Sequence, residues 1–160
     1  LLEAAEKQLP MRTGILNGIE LANTTLCDSG IGGCTTLSLV EIQHRVVRPY
    51  HVGDSLIVGV GGRSRIKLQT VCHSPTGFAV ESGLLDEAEA MHHEDRHIVS
   101  NVIGSTDMRT EIGSELKLAP RDTLLLASDG LPDKIVPQLE RSHSSRCPRR
   151  VTRQPPPDNR

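Results

Sequence analysis

The sequence predicts an α+β fold in which short antiparallel strands are flanked by helices. Three observations carry this. Between positions 34 and 71, four apolar or β-branched runs are joined by turns of five residues or fewer. That leaves no room for the crossovers of a dozen or more residues that parallel strands need. Helical spacing of apolar residues lies on both sides, in 1–29 and 84–97. With one Tyr and one Phe among 160 residues, the core must come from Leu, Ile, Val, Ala and Met.

Taken in order, 1–29 reads as helical because Leu9, Ile15, Leu16, Ile19, Ala22 and Leu26 recur at three- and four-residue steps. Pro10 divides this helix into two pieces. Gly30, Gly32 and Gly33 mark a turn. Cys34–Gln43 is rich enough in β-branched and apolar residues for a buried strand. Arg45–His51 forms a second, and Gly53-Asp54-Ser55 turns the chain into a third, Leu56–Val60. Gly61-Gly62-Arg63-Ser64 leads to a fourth, Ile66–Val71. Close turns predict that the four form an antiparallel meander.

Residues 84–97, rich in Leu, Glu, Ala and Met, are expected to be one helix, with Asp86 favouring its first turn. Glu115–Leu118 and Asp122–Ala127 read as two strands around Pro120-Arg121. The second is almost continuously apolar and is expected to lie central in a sheet. Residues 136–160 hold five of the ten prolines and six arginines with almost no apolar side chains. Such a segment cannot offset its ordering entropy by burial. The domain is therefore expected to span 1–135, followed by a disordered Pro/Arg-rich tail, 136–160.

Charge divides the same way. The body has twelve basic against eighteen acidic residues, and the tail six against two. An acidic body argues against nucleic acid as the main partner and suits a site that gathers cations. No run approaches the roughly 20 apolar residues of a membrane span, and no secretory leader is expected. Cys27, Cys34, Cys72 and Cys147 form no C-x-x-C pair. Scattered cysteines fit a reducing compartment, so a cytoplasmic location is expected. Cys34 and Cys72 read as small core residues. Oligomeric state is not fixed by the sequence.

Two acidic turns carry chemistry. Asp54 lies in Gly53-Asp54-Ser55 and Asp129 in Ser128-Asp129-Gly130, each at a strand end beside a glycine. Hard cations such as Mg²⁺ and Mn²⁺ take oxygen ligands from a few carboxylates and keep several waters. Either turn alone reads plainly as a structural Asp-Gly or Gly-Asp pair.

Together, the motifs resemble the metal-dependent serine/threonine protein phosphatases of type 2C (PPM) in their order along the chain. Gly32-Gly33-Cys34-Thr35-Thr36 looks like the family's entry to a core strand. His51-Val52-Gly53-Asp54-Ser55 looks like its G-D-S turn. Thr70–Pro75 is similar to its T-x-x-H segment, and Asn101-Val102-Ile103-Gly104 to the segment before a later hairpin. The run from Leu124 to Leu131 resembles the apolar strand ending in S-D-G, with Asp133 also family-like.

The resemblance implies an incomplete two-sheet antiparallel β-sandwich flanked by helices. It implies two Mg²⁺ or Mn²⁺ ions sharing an activated water, and hydrolysis of phosphoserine and phosphothreonine in protein substrates. Asp129 then matches a ligand of the paired metal centre, and Asp54 an acidic residue of a further, weaker metal site. Ser128 and Gly130 would line the site. His73 would line it as well, or else take a local hydrogen bond in a loop. No residue present is assigned as the catalytic acid. The family's D-G-x-G-G motif, early aspartate and late aspartate are absent from these 160 residues. The expectation is a partial domain that is inactive or very weak alone.

Two other readings compete. His93-Glu94-Asp95-Arg96-His97 matches H-E-x-x-H, which on a helix can hold Zn²⁺ in a peptidase. Its middle residues are charged, and a solvated helix face is the plainer reading. A non-catalytic phosphatase-like module, or a truncated gene product, is the third, in which the tail's arginines could contact acidic surfaces.

Overall fold

A computed structural model describes residues 10–62 and 65–128. The predicted first helical piece, the Arg63-Ser64 turn, Asp129, Gly130, Asp133 and the 136–160 tail lie outside the described residues.

Two antiparallel sheets form the body. Helix α1 (Met11–Asp28) begins directly after Pro10, which stands at its N-cap. Proline has no N–H to leave unsatisfied there, and its ring fixes φ. The inner stripe of α1, Ile15 and Ile19, packs on Tyr50, with Leu37, Leu39 and Ile112 alongside. Burying each isoleucine contributes roughly 1.5–3 kcal/mol.

The first sheet starts with a hairpin of β1 (Leu37–Gln43) and β2 (Val46–Val52). His44 and Arg45 make its turn with φ of 48° and 64°, the doubly left-handed geometry that matches strand twist. β2 also pairs with two short strands, β5 (Glu111–Ile112) and β6 (Leu116–Lys117). In the second sheet, β3 (Leu56–Gly61) lies between β4 (Arg65–Gln69) and β7 (Thr123–Ala127). The sheets face each other: a β-carbon on Gly59 of β3 would meet Leu116 of β6 at 3.0 Å. β2 and β3 form the interior, with Val47, Tyr50, Val52, Ile57 and Val58 all at 0% exposure.

The sandwich agrees with the expected fold class, but several local expectations do not hold. The four strands are no meander. β2 and β3 do not pair, because β2's second edge is taken by β5 and β6 and β3's by β7. Gly53, at φ 102°, turns the chain between sheets, and Thr36 occupies the space a β-carbon would need. β7 is an edge strand among the described residues, with half-exposed side chains, rather than a central one. β6 and β7, consecutive in the chain, join different sheets instead of forming a hairpin.

The single helix over 84–97 is instead two separate turns of structure. α3 (Glu87–His92) is started by an Asp86–Glu89 capping box, and a 3-10 turn follows at Glu94–His97. A helix missed in the sequence, α2 (Pro75–Glu81), precedes them, with Ser74 accepting from the Gly77 N–H and Pro75 in the first turn. Cys34 is exposed rather than in the core, because β1 begins three residues later; Cys72 is partly buried.

Candidate functional site

The Gly53-Asp54-Ser55 turn is held from three sides. Thr36 and Ser55 share a hydroxyl–hydroxyl bond of 2.8 Å. The His73 backbone N–H donates to the Gly53 carbonyl at 2.9 Å. The Gly53 N–H in turn donates to His73 Nδ1 at 3.0 Å. Asp54 is only partly buried at the tip of this turn.

At the end of β3 that adjoins this turn, antiparallel register places Ala127 opposite Leu56. Leu56 follows Asp54 by two residues, and Ala127 precedes Asp129 by two. Ser128 is exposed at the end of β7. Asp129 and Gly130 are outside the described residues.

His73 is no locally bonded loop residue. It is 5% exposed, and its partners come from distant segments. Besides Gly53, Asn101 Nδ2 lies 2.8 Å from Nδ1, and Glu111 Oε2 lies 2.8 Å from Nε2. The ring borders an open cavity of about 420 Å³, also lined by Phe78, Asn101, Asp107, Arg109 and Glu111.

His51, which sequence reasoning missed, sits 4.3 Å from His73 between ring centroids, tilted by 48°. It is 1% exposed, and neither ring nitrogen has a hydrogen-bond partner. Burial, and then the His73 imidazole, push its pKa down from 6.5 to about 4. His51 and Glu111 gave little signal in the sequence. One stands in an apolar strand, and the other in a strand of two residues, too short for alternation to show.

Donor atoms of His51, His73 and Glu111 lie within 4.8 Å of one another. This set is two-thirds nitrogen, whereas Mg²⁺ and Mn²⁺ favour oxygen. It does not fit the hard cations implied by the resemblance. Asp54, an oxygen donor at a partly exposed turn, does fit them. The H-E-x-x-H reading fails on geometry. His93 leaves the helix with ψ 142°, so His93 and His97 do not share a helical face.

The chain matches no family model. It is 30% identical over 131 residues to a putative type 2C protein phosphatase of Streptococcus pyogenes, covering 78% of this chain and 52% of the relative. It is 33% identical over 102 residues to protein phosphatase PhpP of Streptococcus pneumoniae, covering 63% and 41%. The chain thus spans about half the length of the curated relatives it matches.

Among solved structures, it superimposes on the Streptococcus agalactiae serine/threonine phosphatase with a TM-score of 0.71 at 27% identity, over 88% of this chain and 60% of that one. On the PPM Ser-Thr phosphatase of Mycobacterium smegmatis, solved with cacodylate, the score is 0.69 at 26% identity, over 82% and 60%. No described helix is long and apolar enough to cross a membrane. The likeness in sequence to type 2C phosphatases and the shared sandwich identify the chain as a partial domain of the metal-dependent type 2C (PPM) serine/threonine phosphatase family.

Proposed function

We propose that this chain carries part of a phosphoprotein phosphatase site, in which Asp54 and Asp129 hold Mg²⁺ or Mn²⁺ and the substrate is a phosphoserine or phosphothreonine protein. The observation that supports the reading is the pairing of Leu56 with Ala127, which joins the strand end that follows Asp54 in the chain to the strand end that precedes Asp129. Ser128 and Gly130 would border the bound phosphate. When bound, the ions supply charge neutralisation at the phosphoryl oxygens and a nucleophilic water near neutral pH. The chain's own part is to present the Asp54 carboxylate on a turn that Gly53 and His73 fix, so that little reorganisation accompanies binding there.

Asp129 as the one carboxylate of a paired centre cannot hold two divalent ions tightly, and no D-G-x-G-G motif is present. Residues 1–160 alone are therefore taken to be inactive or very weak. The test is phosphopeptide hydrolysis by residues 1–160 with Mn²⁺, alongside Mn²⁺ calorimetry. No turnover, with weak Mn²⁺ binding that Asp54→Asn reduces, is expected. Robust turnover would overturn the incompleteness, and Mn²⁺ binding indifferent to both Asp54→Asn and Asp129→Asn would overturn the site. A cytoplasmic location goes with this reading; Cys27, Cys34 and Cys72 form no disulfide among themselves.

A further inference from the structure

His51, His73 and Glu111 are spaced as a transition-metal site would be, but the hydrogen bonds around His73 dictate another role. Asn101 is oriented by Arg109: its Oδ1 accepts from the Arg109 N–H at 3.0 Å, and its Nδ2 donates to the Arg109 carbonyl at 2.7 Å. The second Nδ2 hydrogen therefore faces His73 Nδ1 at 2.8 Å. The Gly53 N–H faces the same atom at 3.0 Å. With two donors converging on it, Nδ1 carries no proton. The ring proton is on Nε2, where it is donated to Glu111 Oε2 at 2.8 Å. A metal at Nε2 would drive that proton to Nδ1, against two N–H groups. The backbone of His73 is equally committed. Its N–H donates to the Gly53 carbonyl, and its carbonyl accepts from the Ser100 N–H at 2.8 Å and the Ser100 hydroxyl at 2.9 Å.

We propose that His73 is a positioning residue. Its ring, locked in the Nε2–H form, and its backbone N–H together clamp both backbone polar groups of Gly53 and tie the Asp54 turn to Glu111 on β5 and to the Ser100–Asn101 segment. The inference rests on the reading of Asp54 as a cation ligand only for its consequence, not for the clamp itself. Removing the ring frees the Gly53 N–H and lets the Asp54 carboxylate wander. An acceptor restored near the Nδ1 position, as in His73→Asn, re-forms the Gly53 bond.

The test uses the whole chain. Side-chain ¹⁵N spectra at neutral pH should show His73 with Nδ1 bare and Nε2 protonated, unchanged on adding Zn²⁺. Amide exchange at Gly53 should accelerate about tenfold in His73→Ala and return toward wild type in His73→Asn. Mn²⁺ affinity should follow the same order.

A proton on Nδ1, stoichiometric Zn²⁺ shifts in both His51 and His73, or Gly53 exchange untouched by His73→Ala would each overturn the clamp. The spectra of the unmutated chain decide the matter even if His73→Ala does not fold. Gly53 exchange reads the clamp alone, while Asp54→Asn reads the cation assignment alone, so the two can fail separately.

Discussion

Leu56 and Ala127 stand opposite each other at one end of the β3–β7 pair, although distant in sequence. Each lies two residues from an aspartate, Asp54 or Asp129, that the sequence singles out. Strand pairing thus does what no single motif can, because it brings the residue two after Asp54 and the residue two before Asp129 together at one end of one sheet.

If each aspartate holds a cation, Asp54→Asn and Asp129→Asn should each weaken Mn²⁺ binding at its own site by about tenfold or more, the usual cost of losing a charged ligand contact of 1.4 kcal/mol or above. Stability in the absence of metal should change little. Calorimetry with and without chelator, together with urea melts, checks both halves.

Gly53→Ala should destabilise the fold by about 2–4 kcal/mol. The residue holds φ 102°, and its β-carbon would collide with Thr36. Urea denaturation measures this. A loss under 1 kcal/mol would mean that the turn can rearrange.

Acid should weaken the fold through His51. Its folded pKa of about 4 lies below the ordinary 6.5, so the unfolded chain takes up the proton first. Its contribution is therefore full above pH 6.5 and falls away as the pH drops toward 4, on the order of 1–3 kcal/mol in all. His51→Leu should flatten that part of the stability–pH curve. Because it removes an unpaired buried polar group, it should cost nothing at neutral pH. A curve unchanged by the substitution would contradict this.

Tyr50 is the chain's sole tyrosine, so ultraviolet titration reads it directly. Burial, then the 2.7 Å hydrogen bond to Glu41, raise its pKa from 10.0 to about 12. Phenolate should be absent until near that pH or until unfolding. Tyr50→Phe should cost roughly 1 kcal/mol.

Legibility followed the range of the interaction. The β1 and β2 strands were readable because alternation and β-branching are local, and α1 because its apolar stripe runs for several turns. α2 was missed although Ser74-Pro75 is a start signal, because a seven-residue helix leaves too little periodicity to read. The run from Glu87 to His97 has helical composition throughout, yet His93 adopts an extended conformation and breaks it. β5 exists only because Tyr50 and His51 on β2 supply its partners.

By itself, then, the sequence determined the α+β class, the position of the sharp turn at Gly53, the order of the motifs and the two candidate aspartates. Each is encoded in side chains within a few positions of one another. Only the tertiary structure decided that the strands split into two facing sheets, that β7 lies at an edge among the described residues, and that His73 grips the Gly53 backbone while His51 lies buried beside it. Those outcomes depend on which edge of a strand is free and which donors converge on one atom, and residues far apart in the chain set both.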